Sequence, residues 1–575
     1  MAQNSASSRI HSHNDYLQNV PFWKAYAAGA SSIEADVFLV NDTLYVAHTI
    51  EEIDIGRTLE RMYFDPLKEV LMLGLEGPNQ LQLLVDIKSE PYATLEAIVN
   101  SLKKYSSISQ DNAISITISG NQPKLPDYLN YPDNIFFDYQ SLNAIENTAI
   151  LNKIALISLS FKIVSEWNGK GRLTADDFNK VSQAIDKAHA LGKPFRFWAT
   201  PDSKTSWKVF SDMGVDFINT DMPFECAQYL NTLPDRYYQN SEFSEIYRPT
   251  FATDGSDKAV KNVILMIGDG NGLAQISATA LANKGSLSLT QLKNLGFLKT
   301  QSFDDFTTDS AGAGTAIATG KKVPNRAIGT GNAGVHEENI MELLSKRGFV
   351  SGIVTTDEIS GATPSAFYAH QTDRSMTEEI LNDLLKSPLS LFISEGNRDT
   401  IKNNAMGEYA MLASLDEVAN YKKEKVGYFT NGNTTSNNNS QLAAATDSAL
   451  QFLKNKDKSF FLLVEGAKID TYAHENSIGG VISEGISFDK AVTASLKFAD
   501  SNPGTLVIVT ADHETGGLTL PQGNAEKNEI EGDFTTHDHT GMMVPIFAYG
   551  PQSDEFQGVY ENTEVFNKIL KILKQ

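Results

Sequence analysis

The fold of the longer part of this chain is decided by residues 263–270, which read Val-Ile-Leu-Met-Ile-Gly-Asp-Gly. A short apolar run that ends at glycine is typical of a strand buried on both faces of a parallel sheet. Asp269 stands directly after this run, where open α/β sheets bind their ligands. The carboxylate is either a turn residue that caps the next helix or part of a ligand site, and this stretch alone favours neither.

Further apolar runs downstream predict the rest of this fold. They lie at 350–355, 460–464, 505–510 and 544–549, and helical stretches alternate with them. This alternation predicts an α/β/α sandwich around a mainly parallel central sheet. The Asn-, Thr- and Ser-rich stretch 431–440 is predicted to be a surface loop or flap.

The first part of the chain has a different pattern, with shorter strands and amphipathic stretches such as 174–191 between several of them. The candidate strands are 31–38, 44–48, 82–87, 113–118, 134–138, 154–159, 195–198 and 216–219. Roughly eight βα units in about 230 residues predict a TIM-type barrel. We therefore predict a barrel at 1–232, a linker at 233–256 that is rich in turn residues, and the sandwich at 257–575.

Composition excludes several classes of partner and site. The formal net charge of −23 disfavours binding to nucleic acid or to anionic lipid heads. Cys226 is the only cysteine, which excludes an internal disulfide and a cysteine-based zinc site. No apolar run is long enough to span a bilayer. The first eight residues lack the basic and apolar parts of a signal peptide, and the expectation is that one was removed and replaced by Met1.

Ser310 stands in a run of small residues, 308–316, that reads Thr-Asp-Ser-Ala-Gly-Ala-Gly-Thr-Ala. The pattern predicts Ser310 as the N-cap of a helix, which is the role of most such serines. Because the run has no bulky side chain, its hydroxyl would have open space at a helix N-terminus, where the dipole favours an anion. A catalytic role for Ser310 therefore stands beside simple capping.

Carboxylate and imidazole groups also gather after the later strands. Asp470 and His474 are four residues apart and would share one face of a helix, as a zinc ion accepts, although such a pair is more often solvated surface. Asp512 and His513 end an apolar strand, and residues 537–541 read His-Asp-His-Thr-Gly. Buried charge is costly without partners, and metal coordination would supply them.

Taken together and in this order, these stretches resemble the alkaline phosphatases over essentially all of 257–575. The resemblance implies two Zn²⁺ ions and one Mg²⁺ ion. The implied ligands are Asp470, His474 and His539 for the first zinc; Asp269, Asp512 and His513, beside Ser310, for the second; and Asp269, Thr363 and Glu465 for the magnesium. The chain departs from the family at Gly361, where members often carry Asp or His near the third metal.

The resemblance implies hydrolysis of phosphate monoesters. Two zinc ions about 4 Å apart can hold the attacking and leaving oxygens in line, so Ser310 would form a phosphoserine that water hydrolyses. Arg374 would bind two phosphate oxygens with its planar fork. Phosphodiester and sulfate-ester hydrolysis are the alternatives, and Thr363, Glu465 and Arg374 favour monoesters. A metal-binding scaffold that has lost catalysis is the alternative from another class.

The start of the barrel carries a second group of polar residues at the ends of its first strands, the usual catalytic face of such a barrel. They occur in 9–17, 33–37, 46–48 and 85–88. These stretches resemble the phospholipase C-like and glycerophosphodiester phosphodiesterase barrels, and most closely the "altered inheritance of mitochondria" branch.

In that resemblance Asn14, Glu34, Asp36 and Asp86 would bind one Ca²⁺ or Mg²⁺ ion through oxygen ligands. His13 and His48 would act as acid and base, and the barrel would cleave phosphodiesters. The alternative is a non-catalytic binding or stabilising module. For the whole chain the family resemblance implies small phosphate esters as substrates and a periplasmic or secreted location, and it leaves the oligomeric state open.

Overall fold

The computed structural model describes residues 9–396, 407–430 and 441–573. The chain forms two compact units, Met1–Pro234 and Asp235–Gln575. The predicted surface loop at 431–440 lies outside the described residues. Within the described ranges, no helix has both the length and the apolar character that crossing a bilayer requires.

The first unit is built on short strands, most of them parallel. Their bounds are β1 (Arg9–Ser12), β2 (Ser32–Val40), β3 (Thr43–Val46), β4 (Leu81–Ile87), β5 (Ile114–Gly120), β6 (Ile135–Tyr139), β7 (Ile154–Ser160), β8 (Phe195–Trp198) and β9 (Phe217–Thr220). The order β2-β4-β5-β6-β7-β8-β9-β1 is parallel, and β1 also pairs with β2. In the described part of this unit the ring is therefore a closed barrel of eight parallel strands, which confirms the predicted fold class.

Helices follow most of these strands. Their bounds are α1 (Trp23–Ala27), α2 (Asp65–Leu73), α3 (Pro91–Leu102), α4 (Ser106–Gln110), α5 (Thr148–Asn152), α6 (Ala175–Ala190), α7 (Lys204–Asp212) and α8 (Pro223–Arg236). The predicted amphipathic stretch 174–191 is α6, and the Thr174 side chain caps it by accepting a hydrogen bond from the Asp177 backbone N–H.

One predicted barrel strand was wrong. The 44–48 run forms β3, which pairs antiparallel with the C-terminal end of β2 and lies outside the parallel ring. The eighth barrel strand is β1, where polar residues interrupt the apolar pattern. Its side chains His11 and Ser12 are nonetheless fully buried, because β1 is flanked by β2 and β9.

The second unit is a sandwich around a central sheet. Its strands are β10 (Tyr237–Gln239), β11 (Asn262–Gly268), β12 (Asn294–Lys299), β13 (Val350–Glu358), β14 (Leu391–Glu395), β15 (Ala410–Met411), β16 (Val426–Thr430), β17 (Phe460–Gly466), β18 (Thr505–Thr510), β19 (Glu514–Thr515), β20 (Gly523–Asn524), β21 (Glu529–Glu531), β22 (His539–Thr540), β23 (Val544–Tyr549) and β24 (Gly558–Glu561). Among the described residues the central sheet has the order β15-β16-β14-β13-β17-β11-β18-β23-β12-β24. Strand β23 pairs antiparallel with both of its neighbours, and the other pairings are parallel.

The helices of the second unit cover the faces of this sheet. Their bounds are α9 (Leu273–Ala282), α10 (Ser310–Thr319), α11 (Ile340–Ser345), α12 (Ala362–Ser365), α13 (Thr377–Lys386), α14 (Leu415–Asn420), α15 (Gln441–Lys454), α16 (Lys468–His474), α17 (Ile478–Ser501) and α18 (Thr563–Ile572). Strand β11 lies between β17 and β18, and its residues 263–268 are buried. A strand covered on both faces needs the unbroken apolar run that the sequence shows.

The stretch predicted as a linker packs largely with the second unit. Strand β10 pairs antiparallel with β21. Further along, the Ser244 hydroxyl donates to Asp489 Oδ2 at 2.7 Å, and the Tyr247 hydroxyl donates to Asp500 Oδ2 at 2.6 Å. These contacts hold residues 237–250 in place without a periodic pattern that sequence could reveal.

Candidate active sites

The carboxyl ends of neighbouring parallel strands bring the predicted ligands of the second unit together. Asp269 follows β11, Glu465 lies in β17, and Asp512 follows β18. Gly270 makes the turn possible: its φ is +65°, and a Cβ there would lie 2.9 Å from Asp470 Oδ1. Glycine is favoured at this position because any other residue would have a strained backbone and a Cβ too close to the Asp470 carboxylate.

Ser310 is the first residue of α10, and the N-cap is Asp309, so the prediction that Ser310 itself caps the helix was wrong. The Asp309 side chain accepts a hydrogen bond from the Gly312 backbone N–H at 2.8 Å. Serine and aspartate are both favoured at the N-cap position. Because Asp309 caps the helix, the Ser310 hydroxyl takes no part in the cap. That hydroxyl lies 3.2 Å from His513 Nε2.

His513 is fully buried at the centre of this group. Its Nε2 lies 3.4 Å from Asp269 Oδ1 and 3.3 Å from Asp512 Oδ2. The Thr515 hydroxyl donates to Asp470, so its oxygen can accept the Nδ1 proton of His513 at 3.2 Å. This tautomer leaves the Nε2 lone pair facing Ser310 and the two aspartates, as a metal ligand requires.

His474 and His539 repeat this arrangement beside Asp470. His474 Nδ1 donates to the His537 carbonyl, and His539 Nδ1 donates to the Thr308 carbonyl at 2.8 Å. The two Nε2 atoms face each other at 3.1 Å, with Asp470 Oδ2 3.3 Å from the Nε2 of His474. In the neutral rings, the form that binds a metal ion, both Nε2 atoms would carry lone pairs. Two acceptors at this distance repel each other unless a cation lies between them, so the three residues fit a zinc ion.

Buried oxygens without hydrogen bonds point to further cations. In the described part of the chain, Asp269 Oδ1, Asp512 Oδ2 and Thr363 Oγ1 are buried and make no hydrogen bond. Burial, and then neighbouring carboxylates, raises the pKa of Asp269 and of Asp512, which reflects the cost of holding several charges in one buried place. Divalent cations would remove this cost, so the donor set fits the metals that the sequence predicts.

Arg374 lies at the edge of this site, and its side chain is 36% exposed. Its Nη1 donates to Asp309 Oδ2 at 3.2 Å. Asp309 therefore both caps α10 and holds the Arg374 guanidinium near the start of this helix. Asp309 was not among the predicted site residues, although its residue type and its place in the 308–316 run are those of a second candidate cap.

The barrel encloses a cavity of about 490 Å³, and both predicted catalytic histidines line it. His13 Nδ1 lies 2.7 Å from Asp221 Oδ1, and His48 Nδ1 lies 3.0 Å from Asp36 Oδ2. Burial alone would lower the pKa of His13, but the hydrogen bond to Asp221 and the nearby carboxylate charges outweigh it and raise that pKa. A carboxylate that fixes one ring nitrogen leaves the other available for proton transfer.

The predicted barrel ligands lie together, but Asn14 is partly engaged elsewhere. Glu34, Asp36 and Asp86 offer oxygens within 4.8 Å of one another. The Asn14 side-chain oxygen accepts a hydrogen bond from the Tyr16 hydroxyl at 2.9 Å. Burial raises the pKa of Asp86 to about 6.

Two cationic side chains, Lys88 and Arg196, enter this carboxylate cluster. Lys88 Nζ lies 3.0 Å from both Asp36 Oδ2 and Asp86 Oδ1. Arg196 Nη1 donates to Glu34 Oε2 at 2.9 Å, and its Nη2 lies 3.5 Å from Asp138 Oδ2. These two cations lie among the four carboxylates of Glu34, Asp36, Asp86 and Asp138, so this described group keeps an excess of negative charge that suits a divalent cation.

Comparison with known proteins agrees with this division. Residues 260–391, 419–530 and 523–575 match the family model for alkaline phosphatase. Residues 1–77 match an AIM6-like phosphodiesterase domain, and residues 194–223 match the glycerophosphoryl diester phosphodiesterase family. The phosphodiesterase-like matches lie within the barrel.

Individual relatives match the second part of the chain. Alkaline phosphatase 4 of Bacillus subtilis is 32% identical over an alignment 415 residues long; the match covers 55% of this chain and 90% of that protein. The structure of alkaline phosphatase from the Antarctic bacterium TAB5 has 38% identity and a TM-score of 0.52, and it covers 55% of this chain and 99% of that one. A mutant of the TAB5 enzyme, described with Mg bound in the M3 site, has the same identity and coverage and a TM-score of 0.51.

Proposed function

The chain belongs to the alkaline phosphatase family, and we propose that its second unit hydrolyses small phosphate monoesters through a phosphoserine formed on Ser310, with divalent metal ions bound beside it. One observation carries this proposal. The Ser310 hydroxyl lies 3.2 Å from the Nε2 atom of a fully buried histidine, among carboxylate oxygens that make no hydrogen bond in the described part of the chain.

The proposed ligands divide by their chemistry. Asp470, His474 and His539 would hold one zinc ion; Asp269, Asp512 and His513 a second; and Asp269, Thr363 and Glu465 a magnesium ion. When bound, these metals would lower the pKa of the serine hydroxyl and neutralise negative charge on the ester oxygens.

The chain's own groups then define the reaction. Ser310 Oγ forms a bond to phosphorus while the bond from phosphorus to the leaving alcohol oxygen breaks, and the proton that the serine loses is balanced by the one that the alcohol takes up from solvent. The N-terminus of α10 and the Arg374 guanidinium face the phosphate oxygens with positive charge. A water molecule then cleaves the Oγ–P bond, which releases phosphate and restores the hydroxyl.

We propose a second function for the barrel, which is cleavage of phosphodiesters by acid–base catalysis. Its support is the pair of histidines in one cavity, each with an aspartate at Nδ1. Cleavage of a diester yields a monoester, which is a substrate for the Ser310 site. A binding or stabilising role remains the alternative for the barrel, and a periplasmic or secreted location stays a prediction that cell fractionation can test.

Arg374→Ala should lower the catalytic efficiency for monoesters by about 10- to 150-fold, because a hydrogen bond to a charged group contributes about 1.5–3 kcal/mol. Inhibition by inorganic phosphate should weaken in parallel. Diester turnover should suffer less, since a diester has one charged oxygen fewer. The exposed Arg347→Ala is the matched control. Equal efficiency of Arg374→Ala and wild type would show that Arg374 does not contact phosphate.

His13→Ala should stop release of phosphate from a glycerophosphodiester while leaving monoester turnover unchanged, because His13 lies in the barrel cavity and the Ser310 site does not use it. Free phosphate is measured with each substrate. His189→Ala is the matched control, since His189 is also held by an aspartate, at 2.8 Å from Asp216. Undiminished phosphate release by His13→Ala from every diester tried would assign diester cleavage to the Ser310 site.

A further inference from the structure

Asp357 occupies the space that a side chain at position 361 would fill. A Cβ atom built on Gly361 would lie 2.0 Å from Asp357 Oδ2, far inside contact distance. The backbone of Gly361 has φ −56°, which any residue adopts, so conformation does not require glycine there. Glycine at position 361 therefore leaves the space that the Asp357 carboxylate occupies.

Hydrogen bonds connect Asp357 to the proposed third metal site. The Thr355 hydroxyl accepts a hydrogen bond from the Asp357 backbone N–H at 2.9 Å and donates its own proton to Glu465 Oε2. Asp357 Oδ1 accepts from the Glu358 backbone N–H at 2.7 Å, which fixes the carboxylate at the end of β13. Oδ2 is thereby held over Gly361.

The other side of this space belongs to the same site. Gly361 directly precedes the short helix α12, whose Thr363 hydroxyl is buried. Within the described residues, Thr363 Oγ1 makes no hydrogen bond. The Thr355 hydroxyl, which contacts both residues, places Asp357 next to Glu465, and the charge of Asp357 acts on the Glu465 carboxylate. An unpaired hydroxyl beside two carboxylates is an all-oxygen donor set, which a hard cation such as Mg²⁺ prefers.

We infer that Asp357 supplies an acidic oxygen to the third divalent-cation site, in place of a side chain at Gly361. This inference rests on the proposed function, because that function places Mg²⁺ at Asp269, Thr363 and Glu465. The negative charge at the site would thus come from a residue four positions earlier in the sequence, at the end of β13 instead of the start of α12.

The test measures binding of Mg²⁺ to the zinc-loaded full-length protein by equilibrium dialysis and metal analysis. Asp357→Asn should weaken Mg²⁺ binding by about 10- to 100-fold, the usual effect of losing a group that supports a metal site. Gly361→Ala should also weaken it by about 10-fold, because the added Cβ displaces the Asp357 carboxylate although every acidic residue is retained. Glu358→Gln removes a neighbouring exposed charge and should leave Mg²⁺ affinity unchanged.

A paired substitution separates supply of an oxygen from simple space filling. Asp357→Ala combined with Gly361→Asp should restore Mg²⁺ affinity to within about threefold of wild type, while Asp357→Ala alone should not. If wild type binds three metal ions and is active, and Asp357→Asn binds Mg²⁺ as tightly as wild type, the inference about Asp357 is wrong while the proposed function stands. A wild-type protein that binds no third ion would overturn both the inference and the magnesium part of the proposed function.

Discussion

Ser310→Ala should lower turnover of a chromogenic phosphate monoester by at least about 10³-fold, because the variant lacks the atom that would form the covalent intermediate. Substrate binding should weaken much less, since the metals and Arg374 would still hold the phosphate. The fold should be retained, because alanine is well tolerated in the first turn of a helix and Asp309 still caps α10. Steady-state kinetics and thermal unfolding measure these effects.

The matched control is Ser501→Ala, at the exposed end of α17. It should change neither turnover nor the unfolding temperature measurably. Ser310→Ala with full turnover would remove Ser310 from the reaction. If Ser310→Ala does not fold, Ser310→Cys takes its place. This variant should keep the fold and the metal content of wild type and should also lose most of the turnover.

Removal of the metals should abolish monoester turnover, and zinc with magnesium should restore it. The reason is that the Nε2 atoms of His474, His513 and His539 lie close to one another, to the Ser310 hydroxyl and to carboxylate oxygens, as the ligands of metal ions do. Apo protein should also unfold at a lower temperature, because metals that bind only the folded state stabilise it. Activity and metal content are measured together after dialysis against a chelator.

His539→Ala is the sharpest variant for this experiment, since it removes one predicted zinc ligand and leaves the serine and Arg374 in place. It should bind less zinc than wild type and regain little activity when zinc is returned. Full activity of the wild-type protein at a verified metal content of zero would contradict the metal dependence. Equal zinc content in His539→Ala and wild type would contradict this ligand assignment.

The architecture was largely predictable because buried parallel strands need unbroken apolar runs, as in β11 and β18. Prediction failed where tertiary contacts override this pattern. Strand β1 is short and polar, and it is a strand only because β2 and β9 flank it. The apolar 44–48 run looks like another barrel strand, although it pairs antiparallel outside the ring. Sequence shows the apolar run but not the partner with which it pairs.

The same contrast holds for the candidate site. Ligands such as Asp269 and His513 could be named because their residue types and order are distinctive. The groups that orient the histidines could not be named from sequence. The Thr515 hydroxyl and the carbonyls of Thr308 and His537 contact the Nδ1 atoms of histidines, and these contacts depend on the folded structure. Lys88 illustrates the limit in the barrel, since its stretch was noted but not its place between two carboxylates.

In the proposed mechanism a phosphate group is transferred to Ser310 during turnover. The most direct measurement is to quench the zinc-loaded enzyme in acid during turnover of a phosphate monoester, digest it and locate the modified residue by mass spectrometry. We expect a phosphorylated peptide that contains residues 308–316, with the phosphate on Ser310, and no such peptide from Ser310→Ala. A phosphate that maps to another residue, or active enzyme that is never phosphorylated, would contradict it.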